Sequence, residues 1–145
     1  MNFKNLTNIG RKRAKKSNCH YPMSALVLRN GKIVASGVNK KGFRGTSIHA
    51  EIDALRQLRY NKKRAKGSTM FISRHTKAGL YANAKPCANC LEVMKMVGVK
   101  QVAWTTKNQT VEIANLEDIK TDYLPTHSKN KVIYTGLETF SVEGV

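Results

Sequence analysis

The segment ALVLRNGKIVASGV, residues 25–38, places two apolar runs on either side of the pair Asn30-Gly31. Asn and Gly both tolerate the positive φ angles of a type I′ turn, so this pattern is a strong signal for a β-hairpin. The segment therefore predicts two antiparallel strands near the start of the chain.

Helices and strands are expected on both sides of this hairpin. Residues 2–16 predict a short basic helix, because Phe3, Leu6 and Ile9 form a narrow apolar stripe. A hairpin followed by alternating helices and strands implies a mixed sheet covered on both faces. The later elements predicted by the sequence are a loop at 39–48, helix 49–62, strand 69–73, helix 87–97, strand 100–105, a weak helix 111–122 and strand 131–134.

The length of 145 residues and the 41% of hydrophobic residues suit one domain over residues 1–145, with a basic helix within residues 1–20 and a tail over 136–145. We expect no membrane span, because no apolar run approaches ~18 residues. We also expect no signal peptide, because the N-terminus has no apolar run followed by a small-residue cleavage site. A disulfide framework is not expected either, since two of the three cysteines fall in one short motif. A cytoplasmic protein is the resulting expectation.

The charge is large and unevenly distributed. The net charge is +17, no Asp or Glu precedes Glu51, and nine basic residues but no acid lie between Asp53 and Glu92. Such a field favours an anionic substrate or partner, including nucleic acid, although a solvated surface is the alternative. Aromatic residues are not interleaved with the basic runs, so the sequence indicates no stacking platform for single strands.

Two motifs carry the chemistry: His49-Ala50-Glu51 and Pro86-Cys87-Ala88-Asn89-Cys90. They offer three side chains of the types that bind zinc and one carboxylate that need not be a ligand, which is the inventory of a catalytic zinc site with an open fourth position. The pattern His-x-Glu followed by Pro-Cys-x-x-Cys is the signature of zinc-dependent nucleobase deaminases. Each motif alone could be a helix cap, a structural zinc knuckle or a redox pair. A structural site would need a fourth protein ligand, and no candidate lies at ligand spacing; the candidates are Cys19, His20, His75 and His127.

The expected chemistry is hydrolytic deamination. A zinc ion lowers the pKa of its bound water to roughly 7, and the resulting hydroxide attacks a ring carbon that carries an amine, such as C4 of cytosine. Glu51 is placed to take the proton from that water and to deliver it to the ring nitrogen and the leaving ammonia. Loss of its carboxylate should spare the metal and abolish turnover.

On these motifs the chain resembles the cytidine and deoxycytidylate deaminase superfamily, from about Ser24 to Tyr134. The resemblance implies an α/β fold of the cytidine deaminase type, a three-layer α/β/α sandwich around a mixed five-stranded sheet. It implies one zinc ion per chain held by His49, Cys87 and Cys90, with Glu51 as proton shuttle. It also implies a possible homo-oligomer.

Substrate contacts are expected from four further residues: Asn39, Ala50, Lys85 and Pro86. Asn39 matches an Asn that binds substrate in several branches of the superfamily, and the alternative is a turn-forming role. Lys85 is the best-placed phosphate ligand because it lies two residues before Cys87. Other phosphate-binding candidates, each of which could instead be a solvated cation, are Arg44, Arg74 and Lys77.

The expected helix after Trp104 resembles the deoxycytidylate, tRNA and polynucleotide branches, in which the last two strands are parallel, unlike the free-cytidine branch. The basic loop 74–85 departs from those branches, so the substrate identity does not transfer. Three functions stay open at this point: a deaminase of a (deoxy)cytidine nucleoside or nucleotide such as dCMP, a deaminase of cytosine or adenine in RNA or single-stranded DNA, and an inactive zinc-stabilised binding module.

Overall fold

A computed structural model describes residues 2–42 and 46–119, without the side chain of Lys62. Within these ranges no helix is long and apolar enough to cross a membrane. The helices are α1 Phe3–Ala14, α2 Ala50–Gln57, α3 Lys62–Ala65 and α4 Ala88–Val97, and a short 3₁₀ turn covers Leu116–Asp118. The strands are β1 Met23–Arg29, β2 Lys32–Val38, β3 Lys40–Lys41, β4 Ser47–Ile48, β5 Thr69–Arg74, β6 Gln101–Thr105 and β7 Val111–Asn115.

Five strands form one mixed sheet in the order β2-β1-β5-β6-β7. The pair β5–β6 is parallel, and the other three neighbouring pairs are antiparallel. A parallel pair requires a crossover connection, and here α4 lies within it. The separate strands β3 and β4 pair with each other in a small ladder inside the predicted loop 39–48. The predicted mixed five-stranded sheet is confirmed.

Both faces of the sheet are covered, and β1 shows this by the alternation of its side chains. Ala25 and Val27 join the large apolar cluster under α2 and α4, which we call the α2 face. Leu26 and Leu28 join a smaller cluster with Leu6 of α1, which we call the α1 face. All four β1 side chains are buried because successive residues of a strand point to opposite faces. The result is the predicted three-layer α/β/α sandwich.

The hairpin and the N-terminal helix agree with the sequence. Asn30 and Gly31 take φ angles of 52° and 76°, as a type I′ turn requires. The helix predicted over residues 2–16 is present as α1, and the side chain of Asn2 caps it by accepting a hydrogen bond from the backbone N–H of Asn5 at 3.0 Å. Its Leu6 is buried against the sheet, as the apolar stripe predicts.

The helix predicted over 49–62 is shorter in the structure. It ends at Gln57 because Arg59 and Tyr60 take positive φ angles of 55° and 52°, which cannot continue a right-handed helix. Asn61 then starts α3, its side chain accepting hydrogen bonds from the backbone N–H groups of Lys63 and Arg64 at 3.0 and 3.3 Å.

The prediction of a weak helix over 111–122 is wrong for residues 111–119, the part of it that the structure describes. Residues Val111–Asn115 form β7, which pairs antiparallel with β6 from Gln101↔Asn115 to Thr105↔Val111. A tight turn joins the two strands, where the Thr106 N–H donates to the Thr110 carbonyl at 2.9 Å. The fifth strand of the described sheet is therefore reached by a hairpin and runs antiparallel to β6, where a parallel last strand was expected. The strand predicted at 131–134 and the tail at 136–145 lie outside the described residues.

Candidate metal centre

Two helix starts bring the three predicted ligands together. His49 is the N-cap residue of α2 and Cys87 is the N-cap residue of α4, both with extended backbone. Neither side chain caps its own helix, although the N-cap position commonly does so. Instead, the side chains of His49 and Cys87 contact each other and Cys90, which lies in the first turn of α4.

The three ligand atoms form a compact cluster, all within 4.8 Å of one another. His49 Nδ1 lies 3.1 Å from Cys90 Sγ and 3.7 Å from Cys87 Sγ, and the two sulfurs are 3.4 Å apart. Zn–S and Zn–N bonds of about 2.3 and 2.0 Å in a tetrahedron place two sulfurs about 3.8 Å apart and a sulfur and a nitrogen about 3.5 Å apart. The donor set thus fits a zinc ion after shifts of a few tenths of an ångström.

Within residues 2–42 and 46–119, no fourth His, Cys, Asp or Glu joins this cluster. Cys19, His20 and His75 are described and stand outside it, while His127 lies beyond the described residues. Three protein ligands with a vacant fourth position are typical of catalytic zinc sites, whereas structural sites have four.

The pKa values of the two cysteines favour binding of a cation. The hydrogen bond between the two sulfurs lowers the pKa of Cys87 to about 4, against the opposing effect of burial. The same hydrogen bond and burial raise the pKa of Cys90 well above its ordinary value. Zinc ligation requires both sulfurs as thiolates, so it would release the proton that the metal-free pair shares.

Burial lowers the pKa of His49, but its hydrogen bond to Cys87 and the nearby charges of Glu51 and Cys87 outweigh this and raise it. Glu51 itself is 3% exposed. Burial raises the pKa of Glu51, the charge of His49 lowers it and that of Cys87 raises it, with a net upward shift. Glu51 also hydrogen-bonds with Cys90, so its carboxyl group contacts the cluster without belonging to the ligand set.

Asp53 is a buried carboxylate that the sequence analysis did not single out. It is 3% exposed, and its oxygens accept hydrogen bonds from the Val38 N–H at 3.0 Å and from Lys40 Nζ at 3.1 Å. Asp53 therefore ties the first turn of α2 to the end of β2, which fixes His49 and Glu51 over the sheet.

Thr105 is a second positioning residue that the sequence did not reveal. Its hydroxyl accepts from the Arg74 N–H at 3.1 Å and donates to the Ala82 carbonyl at 2.8 Å. The Thr105 carbonyl also accepts from the Ala84 N–H at 3.0 Å. These bonds hold both ends of the loop that precedes Cys87. No local sequence signal could show this, because it depends on contacts between β6 and a distant loop.

Asn39 is engaged with the protein. Its side-chain oxygen lies 2.7 Å from Ser17 Oγ and accepts from the Met23 N–H at 2.8 Å, and its amide nitrogen donates to the Tyr21 carbonyl at 2.9 Å. These contacts are those of the structural alternative, in which Asn39 shapes the chain before β1. Its contact with substrate stays a prediction.

The other predicted contact residues are placed next to the ligands. Ala50 and Pro86 are buried beside His49 and Cys87, respectively, and Lys85 is exposed with its Nζ 6.0 Å from the centre of the Trp104 ring. Of the phosphate candidates, Arg74 is the last residue of β5 and Lys77 lies in the loop that follows. Arg44 lies outside the described residues.

One imidazole and two thiols at two helix starts, beside a buried carboxylate on an α/β/α sandwich, define the class of zinc-binding deaminase folds. Residues 3–106 match the family model described as "Cytidine and deoxycytidylate deaminase zinc-binding region". The chain belongs to this family.

Solved structures agree on the fold. A cytidine deaminase from Burkholderia pseudomallei is 20% identical with a TM-score of 0.64, covering 86% of this chain and 100% of that chain. A dCMP deaminase from the cyanophage S-TIM5, in complex with dCMP and dUMP, is 24% identical with a TM-score of 0.56, covering 72% and 80%. A cytidine deaminase from Mycobacterium leprae is 16% identical with a TM-score of 0.56, covering 80% and 94%. No curated protein shows significant sequence similarity to the chain.

Proposed function

We propose that the chain is a zinc-dependent hydrolase that converts cytosine to uracil in a (deoxy)cytidine nucleoside or nucleotide such as dCMP. The observation that carries this proposal is the cluster of His49, Cys87 and Cys90 within 4.8 Å, with the buried carboxyl group of Glu51 in contact with it. A structural knuckle or a redox pair has no need for that carboxyl group. Membership of the family supports deamination as the reaction.

His49, Cys87 and Cys90 would hold the zinc ion. When bound, the ion supplies a Lewis acid that makes water nucleophilic at neutral pH. Two thiolates and a neutral imidazole balance its charge of +2 and leave one position for solvent or substrate.

Glu51 would move the protons. Its carboxylate accepts a proton from the attacking water, whose oxygen forms a bond to C4 of cytosine, and passes that proton to N3 of the ring. A second proton from the added hydroxyl group goes by the same carboxylate to the amine, which then leaves as ammonia.

A phosphorylated substrate is favoured by the charge of +17 and by the exposed Lys85 beside Pro86 and Cys87. The dCMP and dUMP held by the cyanophage relative support a nucleotide of this kind. Ala50 and Pro86 are proposed to line the base pocket with their backbone, since each adjoins a ligand. Replacement of Lys85 by Gln is expected to raise KM for dCMP and to leave KM for cytidine unchanged.

The test is an assay of ammonia release by the zinc-loaded protein with common bases, nucleosides and mononucleotides. We expect turnover of a cytosine compound, and we expect Glu51→Gln to keep stoichiometric zinc while losing at least ~100-fold in kcat. Glu92→Gln, an exposed acid on α4, is the matched control and should keep full activity. Ammonia release from none of these compounds would overturn the proposal. Release from a single-stranded oligonucleotide instead would favour a polynucleotide deaminase, and no release from oligonucleotides either would favour an inactive binding module.

A further inference from the structure

A large cavity lies beside α1, outside the cluster of proposed zinc ligands. Its volume is about 690 Å³, and it is enclosed by the C-terminal half of α1, the segment before β1 and the loop after β5. This size is within the range of about 300–1,000 Å³ that is usual for pockets that bind small molecules. The residues that determine its chemistry are Arg11, Lys15, His20, Tyr21, Arg74 and Lys77.

The charge of this cavity is not neutralised by the described part of the chain. Four of its lining residues are Lys or Arg, and none is Asp or Glu. The single ion pair among the described residues joins Lys40 to Asp53, so Arg11, Lys15, Arg74 and Lys77 have no carboxylate partner there. Four cations that face one cavity attract an anion with several charges.

An exposed aromatic ring stands at the same place. The side chain of Tyr21 is 60% exposed. The Arg74 guanidinium lies 4.7 Å from the centre of the Tyr21 ring, and the His20 ring meets it edge-on at 4.6 Å. A ring fixed by two neighbours and open to solvent can stack on a nucleobase, while the adjacent cations bind phosphate. The sequence did not indicate this platform, because the fold brings Tyr21 and Arg74 together from distant segments.

A second cavity adjoins the first. Its volume is about 480 Å³, and it shares Cys19, His20 and Tyr21 with the first and reaches Lys41 and Ser47. Ser47 belongs to β4, which ends at the residue directly before His49. We call the two cavities, which share these three lining residues, the basic groove. Because the first cavity alone is large enough for a nucleotide, the groove as a whole suits a ligand of more than one nucleotide.

We propose that the basic groove binds single-stranded nucleic acid, with phosphodiester groups against Arg11, Lys15, Arg74 and Lys77 and one base stacked on Tyr21. A single strand is favoured over a duplex because only unpaired bases expose their faces to a protein ring. This binding does not depend on deamination, so it would hold for a strand that is the substrate and for one that is only a partner.

The test is fluorescence anisotropy of a labelled single-stranded oligonucleotide, as DNA and as RNA, with the full chain over a series of salt concentrations. Lys15→Gln combined with Lys77→Gln should weaken binding about tenfold and reduce the slope of log K against log salt by about 1.4, since each phosphate contact in a single strand contributes about 0.7. The control pair Lys95→Gln and Lys107→Gln removes the same charge at exposed sites away from both cavities, and it should change binding less than about twofold.

The ring has its own matched pair of variants. Tyr21→Ala should weaken binding about tenfold, whereas Tyr21→Phe keeps the ring and should bind as the wild type does. Equal losses in the groove and control pairs, equal binding by Tyr21→Ala and Tyr21→Phe, or equal competition by dCMP or by duplex DNA would each overturn the proposal. Glu51→Gln should bind the oligonucleotide normally, so loss of catalysis and loss of groove binding are distinguishable.

Discussion

On each face of the sheet, a glycine allows a helix to approach the sheet closely. The two contacts differ in the atoms that face the glycine. On the α2 face, a Cβ added to Gly37 of β2 would meet the backbone of α2, including the Ala50 carbonyl oxygen at 2.7 Å. On the α1 face, a Cβ added to Gly10 would meet the hydroxyl groups of Ser24 and Ser73, the first at 2.7 Å. Those two hydroxyls are hydrogen-bonded to each other at 2.9 Å.

This difference separates a rigid face from an adaptable one. Helix backbone cannot move away from Gly37 without shifting α2, and with it His49 and Glu51, whereas a serine side chain can change rotamer. The α2 face also has the larger buried cluster, and the α1 face the smaller one. We infer that the metal cluster lies on the face whose packing tolerates substitutions least. The basic groove adjoins the face that tolerates them better.

The largest expected effect is that of a core truncation on each face. Leu55→Ala removes a fully buried side chain of α2 and should lower the free energy of unfolding by about 4 kcal/mol. Leu6→Ala on α1 removes a side chain that is 8% exposed, from the smaller cluster, and should cost about 2 kcal/mol. Chemical denaturation of the metal-free proteins measures both values. Equal costs would contradict the proposed difference between the faces.

Gly37→Ala tests the backbone contact directly. The added methyl group forces β2 and α2 apart, so we expect a loss of about 3 kcal/mol in the free energy of unfolding. Zinc affinity should fall as well, because α2 carries His49. Denaturation and a zinc titration of the same protein provide the two measurements. Wild-type values in both would show that the approach of α2 to β2 does not place the ligand.

Gly10→Ala is the matched substitution on the α1 face and should have a smaller effect. Displacement of the Ser24 and Ser73 hydroxyls costs stability, but alanine gains about 1 kcal/mol over glycine in a helix. The net change should stay within about 1 kcal/mol, with zinc affinity unchanged. A loss as large as that of Gly37→Ala would remove the contrast between backbone and side-chain contacts.

The smallest effect concerns His75, which lines the large cavity near Arg11. Burial and the charge of Arg11 lower the pKa of His75 from 6.5. At this residue the unfolded chain therefore binds a proton more readily than the folded one, so the contribution of His75 to stability falls as the pH drops below about 6.5 and is constant above it. His75→Gln should flatten this dependence, and Arg11→Gln should weaken it, in melting curves between pH 5 and pH 8. Parallel curves for His75→Gln and the wild type would contradict this assignment.

The elements that the sequence predicted correctly carry local signals. Asn30-Gly31 specifies its turn without help from the rest of the fold. Gly98, with a φ angle of 90°, ends α4 at Val97, the end predicted for the helix 87–97. The ligands were found because a metal site requires particular residue types at fixed spacing. Such features can be predicted because they depend on residue type and local spacing and not on contacts with distant segments.

The elements that the sequence missed depend on partners distant in the chain. Val111–Asn115 is a short edge strand with Glu112 and Ile113 exposed, so its own pattern is weak and its pairing with β6 decides its structure. Asp53 and Thr105 are likewise defined by the segments that they join. The Tyr21 platform exists only because β1 and β5 are neighbours in the sheet.

The central claim is that His49, Cys87 and Cys90 hold one zinc ion with a fourth position free of protein. X-ray absorption spectroscopy of the zinc-loaded protein tests it most directly. We predict one zinc ion per chain with two sulfur neighbours at about 2.3 Å and lighter atoms at about 2.0 Å, of which one is exchangeable for an added anion. Loss of one sulfur neighbour in Cys90→Ala would confirm the assignment. A zinc ion without sulfur neighbours, or one with four protein ligands, would contradict it.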